Sequence, residues 1–369
     1  MKNNGCTLRA VAFGILLTGF AGIASPLSLC AADAPATASA PAPLDTATAA
    51  RFSKLKEYLT SRLARMGKAS ELYVKNAAAY AAFIDKAGGL NKAAAASPAE
   101  LRKLISTLQD DYNALDSFGY ETVEGIVAGV ESMVAYDVYL DSGVPADKAT
   151  SETPTAPVTL DLGGGKKIEG KGSLFTYIMA PSLWGKSEEF CQKVKIEGKD
   201  ELLPDPVVIN ATAAAAHAKI SQLIASGNEW APSLPDCFGI LITMTPTLSG
   251  YFDDWKESRY TDDKSGLFAA VSRVSDMKGI MTSVSTTYAA VQPNVEAKDK
   301  ALAKSIDNGF KNILGFIEKV AEKEAKLGKS ITPAQIDELA AQAKEMADKL
   351  VPQIDQASAI VTDKGTGTK

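Results

Sequence analysis

The sequence predicts an all-α fold: two helical bundle-like halves with a short irregular insertion, carrying a β-hairpin, between them. Three observations predict it. Alanine is abundant and aromatic residues make up only 7% of the chain, a composition that suits packed helices more than sheets. Apolar residues recur at helical spacing on both sides of the middle. Between Thr150 and Pro206 that period gives way to alternation and a glycine run. At 369 residues the chain has ample material for one large domain or two modest ones.

Residues 1–32 read as a signal peptide. Lys2 and Arg9 give a basic start, Ala10 to Ala24 is an apolar run too short for a comfortable membrane span, and Cys30-Ala31-Ala32 before Asp33 fits a small-residue cleavage site. A second reading takes Leu27-Ser28-Leu29-Cys30 as a lipobox with an acylated Cys30, although Leu29 is bulky where such boxes want a small residue. Both readings send the chain to the periplasm or cell envelope. Residues 33–48 form an Ala/Pro/Thr tract with no apolar period, a spacer. No later stretch approaches membrane length, so no transmembrane helix is expected in the mature protein.

The N-terminal bundle is expected over 49–149. Phe52, Leu55, Tyr58, Leu59 and Leu63 recur at helical spacing, followed by Leu72, Ala79, Tyr80 and Phe83, with Gly88-Gly89 as a stop. Ser97-Pro98-Ala99-Glu100 has a capping-box pattern and opens a helix bearing Leu101, Leu104, Ile105 and Leu108. A buried helix is then expected from Glu121 to about Leu140, its Gly125, Ala128 and Gly129 suited to close helix packing. The insertion spans 150–206, where Val158 to Leu162 alternates, Gly163-Gly164-Gly165 turns, and Lys166 to Glu169 pairs back. That glycine run lacks the Lys-Ser/Thr ending of a phosphate loop and reads as a turn.

The C-terminal bundle is expected over 207–362, with 363–369 as a tail. Its helices are Ile209 to Ala225, Ser233 to about Tyr260 with a break near Pro246, Gly266 to Val291, Asp299 to Leu327, and Pro333 to Ile360. Thr332-Pro333-Ala334-Gln335 carries a second capping box.

Charge and cysteines narrow the chemistry. Acidic residues number 44 against 39 basic, two of the latter being Lys2 and Arg9 in the leader, and this mildly acidic balance argues against a nucleic-acid partner. Cys191 and Cys237 are a candidate disulfide for an oxidising compartment, closing a loop of about 46 residues worth roughly 4 kcal/mol in chain entropy. Two free buried thiols are the other reading, and two cysteines without partner histidines do not suit zinc. The one histidine, His217, lies in a plain alanine-rich helix, with no nucleophile-elbow motif anywhere for it to serve.

One hexapeptide stands out, Gly119-Tyr120-Glu121-Thr122-Val123-Glu124. Two carboxylates three residues apart share a helical face, where they suit an oxygen-liganded metal or a proton transfer. The hexapeptide resembles the G-x-H-x-x-E motif of the imelysin family, which includes EfeO/EfeM-type components of bacterial iron uptake. Asp253 to Tyr260, Ala270 to Ile280 and the closing helices from Thr332 to Leu350 are also similar to that family's second half. The resemblance implies a helical, exported protein tied to iron acquisition, with Gly119, Glu121 and Glu124 on the motif's Gly, His and Glu. The His-to-Glu change favours hard ions such as iron(III), calcium or magnesium over zinc.

The expected site is therefore Glu121 and Glu124 completed by Asp254 and Glu257. Glu131, Asp137, Asp141 and Asp253 are further candidate donors, and Arg259 is a candidate ion-pair partner for one of these acids. The function expected is capture of a metal ion, iron first and calcium or zinc as alternatives, for a membrane iron permease or other envelope partner. Two other readings stand beside it: a metallopeptidase of the imelysin type, and a non-catalytic module that binds a polymer or a surface partner.

Overall fold

The computed structural model describes residues 45–150, 153–260 and 272–362. The expected signal peptide, Cys30, residues 33–44 of the spacer, the first residues of the helix expected from Gly266 and the tail lie outside these residues.

The architecture is all-α with two small hairpins. It opens with α1 (Thr46–Ala87), a single helix of 42 residues. The Asp45 carboxylate caps it by accepting from the Thr48 amide at 2.9 Å, and Gly88, at φ 79°, closes it in the left-handed conformation. Helix therefore begins three residues inside the stretch assigned to the spacer. The buried positions Phe52, Leu55, Leu59, Leu63, Met66, Ser70, Tyr73, Ala77, Tyr80 and Ile84 advance by threes and fours, a heptad stripe. Each large apolar member contributes on the order of 2 kcal/mol by leaving water. Leu72 points to solvent and is not part of this stripe.

Next come α2 (Leu90–Ala96) and α3 (Pro98–Leu115), which begins at Pro98 as expected, although the Ser97 side chain makes no capping hydrogen bond. The continuous helix expected from Glu121 to Leu140 is instead a broken chain. It runs through a 3-10 turn at Tyr120–Thr122, α4 (Glu124–Val127), α5 (Val134–Asp137) and a π turn at Val138–Ser142. Thr122, Val123, Gly125, Ile126, Val127, Gly129 and Val130 are poor helix formers, so packing decides the backbone. A Cβ on Gly125 would sit 2.3 Å from Ser283 Oγ, and one on Gly129 would sit 2.8 Å from Ile240 Cα, so these glycines allow the close approach their sequence suggested.

The insertion holds two antiparallel hairpins. In the first, β1 (Thr159–Gly163) pairs with β2 (Lys166–Glu169), Leu160 opposite Ile168, across a turn whose three glycines all have positive φ. A second π turn at Leu174–Met179 and α6 (Ala180–Leu183) lead to β3 (Cys191–Ile196) and β4 (Lys199–Pro204), joined through Glu197-Gly198. This second hairpin was not anticipated.

The remaining helices are α7 (Pro206–Glu229), α8 (Leu234–Met244), α9 (Leu248–Tyr260), α10 (Arg273–Glu296), α11 (Lys300–Leu327) and α12 (Pro333–Thr362). The chain breaks between α8 and α9 around Pro246, as expected. At α12 the capping box forms, with Thr332 and Gln335 exchanging backbone-to-side-chain hydrogen bonds at 2.9 and 3.3 Å.

The long helices assemble around α1. Helix α7 lies antiparallel to it, with Leu63 against Gly227, Gly67 against Ile224 and Ser70 against His217. Helices α3 and α10 also pack on α1, so the spine touches segments from both sides of the insertion, and one hydrophobic core runs through all of them. Cys191 and Cys237 are two free buried thiols, which corrects the disulfide expectation. The Cys191 thiol donates to the Ser182 carbonyl oxygen at 3.2 Å beside β3, whereas Cys237 is sealed in the first turn of α8. Among the described residues no helix is long and apolar enough to cross a membrane.

Candidate metal centre

The Glu121 turn begins where α3 ends. Gly119 makes the bend: its amide donates to the Asp116 carbonyl oxygen at 3.1 Å, and a Cβ there would lie 2.3 Å from the Leu115 oxygen and 2.6 Å from that of Ala114. These are backbone atoms that cannot swing aside. Gly119→Ala is expected to cost about 1–3 kcal/mol, seen as a lower urea midpoint, and a midpoint equal to wild type would contradict this account.

Bending at Gly119 turns Glu121 inward. It is fully buried, and neither carboxylate oxygen has a hydrogen-bond partner. Asp116, at the C-terminal end of α3, and Asp141, in the π turn, bring oxygens to the same place, and the three carboxylate oxygens lie within 4.8 Å of one another. Thr176 from the second π turn donates to Asp141 Oδ1 at 2.5 Å and Ser173 Oγ donates to its carbonyl oxygen, so one π turn pins the other.

Glu124 is also buried. One oxygen accepts the Tyr251 hydroxyl at 2.5 Å from α9, and the other is unpartnered. Asp137 accepts the Tyr120 hydroxyl at 2.6 Å. From the C-terminal helices come Asp254 on α9, half-buried, and Asp276 on α10, buried. Against these seven carboxylates the described residues set Arg273 at the start of α10, its Nη1 3.9 Å from Glu121 Oε1 and 3.5 Å from Asp276 Oδ2. Both separations are long for a paired guanidinium.

The electrostatics follow from burial and crowding. Burial first, then neighbouring carboxylates, pushes Glu121, Glu124 and Asp116 well above the ordinary carboxylate range. Burial raises Asp137, Asp254 and Asp276 to about 6, with Arg273 restraining the last two. For Arg273, burial works against the charge, but Asp276, Asp141, Glu121 and Asp254 outweigh it and hold the guanidinium firmly protonated.

A stability consequence has a definite sign. The folded protein keeps protons on Asp137, Asp254 and Asp276 up to about pH 6, while the unfolded chain loses them near 3.8. Their contribution is thus fully present below the unfolded value and is lost as pH rises through about 6. Chelator-treated protein is expected to show a falling thermal midpoint from about pH 4.5 to 7, with a smaller fall in Asp254→Asn. A midpoint that climbs over this interval in both proteins would contradict the assignment.

The structure thus gathers Glu121, Glu124 and Asp254, and also Asp137 and Asp141, into one cluster. Glu257 sits half-buried at its edge, its charge felt by Asp254 and Tyr177. Glu131 is exposed, and Asp253 faces outward beside Lys256. Arg259 lies in α9 with its side chain outside the described residues; Arg273 holds the place beside the acids. Sequence reasoning missed Asp116, Arg273 and Asp276. The signal for the last two was the Ser272 N-cap, which accepts from the Val274 amide and starts a helix with a charged first turn.

The donors are carboxylate oxygens with phenols behind them. His217 is occupied elsewhere, its Nδ1 2.9 Å from Ser70 Oγ on the α1–α7 seam. Such a set can bind hard cations and offers no nitrogen or sulfur to zinc. Comparison with protein-family models and with curated proteins finds no match to this chain.

Proposed function

We propose that this chain is an exported, imelysin-like protein that captures a hard metal ion, iron foremost, in its carboxylate cluster and passes it to a partner in the envelope. The observation that carries this reading is Glu121, a fully buried carboxylate with both oxygens unpartnered, converging with Asp116 and Asp141. A buried polar group without a partner is costly, and several carboxylates crowded together more so, unless a cation joins them. The oxygen-only donor set favours iron(III), calcium or magnesium over zinc. Asp141, Asp254 and Glu257 are half-buried rather than sealed. The leader and the hexapeptide supply the remaining parts, export and the link to iron acquisition.

The test is elemental analysis of protein beginning at Asp33, purified from the native envelope and again after chelation and reloading with iron(III), calcium or zinc. Iron retained through gel filtration at one ion per chain or more supports capture. Protein that neither carries nor takes up any of these ions refutes it.

A further inference from the structure

We propose that the solvent face of α1 is a docking surface for an anionic lipid bilayer. The inference goes beyond metal capture and rests only on the export part of that reading.

Helix α1 buries its heptad stripe under α3, α7 and α10 and leaves three neighbouring rows in solvent, each advancing by sevens. The first row holds Lys54, Ser61, Lys68, Lys75 and Ala82, and the second holds Arg65, Leu72, Ala79 and Lys86, all exposed. The acids Glu57, Glu71 and Asp85 keep to the third row, with Ala64 and Ala78, along one edge. Two adjacent rows thus carry five bases and no acid, in a chain whose net charge is -5.

These bases are not engaged within the fold. Exposed lysines on α10, α11 and α12 pair with carboxylates at 3.4, 2.6 and 2.6 Å. Among the described residues Lys54, Arg65, Lys68, Lys75 and Lys86 make no ion pair and no side-chain hydrogen bond, although Glu57 and Glu71 stand three or four residues from Lys54, Lys68 and Lys75. Arg51 and Arg62, which flank the face, are occupied: Arg51 donates to the Ala290 carbonyl oxygen at 2.9 Å, and Arg62 stacks 3.5 Å from the Tyr58 ring centre. Arg65 and Lys68, one helical turn apart, repel each other, a small cost that an anionic partner removes.

Geometry selects the partner. From Lys54 to Lys86 the bases run about 48 Å along the outside of one helix, so a compact anion meets one or two of them and an extended anionic surface meets all five. Leu72, 47% exposed, stands in their midst. An apolar side chain among bases suits the headgroup boundary of a bilayer, not a hydrated polyanion. On the lipobox reading Asp45 also lies within about 50 Å of the membrane, because the 15 residues from Cys30 extend no further.

The test is cosedimentation of chelator-treated protein beginning at Asp33 with vesicles of phosphatidylglycerol and phosphatidylcholine, or of phosphatidylcholine alone. Binding is expected to need phosphatidylglycerol and to fade at high salt. Each base at an anionic surface changes partitioning about fivefold, so Arg65→Gln/Lys68→Gln/Lys75→Gln is expected to bind about 100-fold more weakly. All three residues are exposed, so the variant keeps the fold. Lys298→Gln/Lys304→Gln/Lys319→Gln removes as much charge from exposed positions in and beside α11 and is expected to bind nearly as wild type does. Equal binding to both kinds of vesicle, or equal losses in the two variants, overturns the proposal. Binding to heparin without binding to either vesicle also overturns it, by making the face a site for a soluble polyanion. With metal absent throughout, each of these outcomes leaves the capture reading standing.

Discussion

Glu121→Gln is expected to make the metal-free protein more stable while it abolishes tight metal binding. The amide is nearly isosteric with the carboxylate and removes the charge most deeply enclosed among like charges. Near neutral pH the gain is on the order of 1–3 kcal/mol, because one member of a crowded set of buried acids no longer has to ionise or hold a proton. Affinity for iron(III) is expected to fall by more than about 100-fold, since a central ligand is lost rather than an outer partner. Thermal unfolding in chelator and a competition titration measure the two effects. A variant that is less stable than wild type and binds metal as tightly would show that Glu121 is held by something other than a cation.

Arg273→Met is expected to act in the opposite direction. Removing the guanidinium leaves Asp276, Glu121 and their neighbours without the positive charge that the described residues give them, at a cost of about 3–5 kcal/mol near neutral pH. The loss is smaller at pH 4.5, where protons neutralise the acids, and an added hard cation stabilises the variant more than it stabilises wild type. Urea denaturation at the two pH values, with and without metal, measures this. An equal loss at both pH values would mean that Arg273 acts through the packing of its stem and not through its charge.

These opposed outcomes come from residues of unequal visibility in the sequence. The α1 stripe was legible because one amphipathic face repeats over many turns, and two misassigned residues, exposed Leu72 and Ala79, do not disturb the pattern. The first hairpin was legible from its three glycines. The second has the same kind of signal, alternating buried Val194 and Ile196 before Glu197-Gly198, but its charged outer positions resemble a solvated loop. Glu121 and Glu124 were visible because two acids stood in an otherwise apolar run.

Asp116 was not visible, since an acid at a helix end ordinarily faces water, whereas this one is buried with its oxygen beside those of Glu121 and Asp141. Arg259 and Arg273 each follow a serine, and local sequence does not say that Arg273 meets the acids. Tertiary packing decides it, because α10 crosses behind the Glu121 turn closely enough that a Cβ on Gly279 would lie 2.9 Å from the Glu121 carbonyl oxygen.

The π turn at Val138–Ser142 stands in place of an α-helical turn and accommodates one extra residue. Successive residues in an α-helix are offset by about 100°. A one-residue deletion at Tyr139 lets the helix close into regular register, but carries Asp141 round the axis by that angle, away from Asp116 and Glu121. The buried Leu140 turns with it, and the cluster loses the acid that Thr176 holds in place. The position of one acid in the cluster therefore hangs on the single extra residue that the π turn takes up.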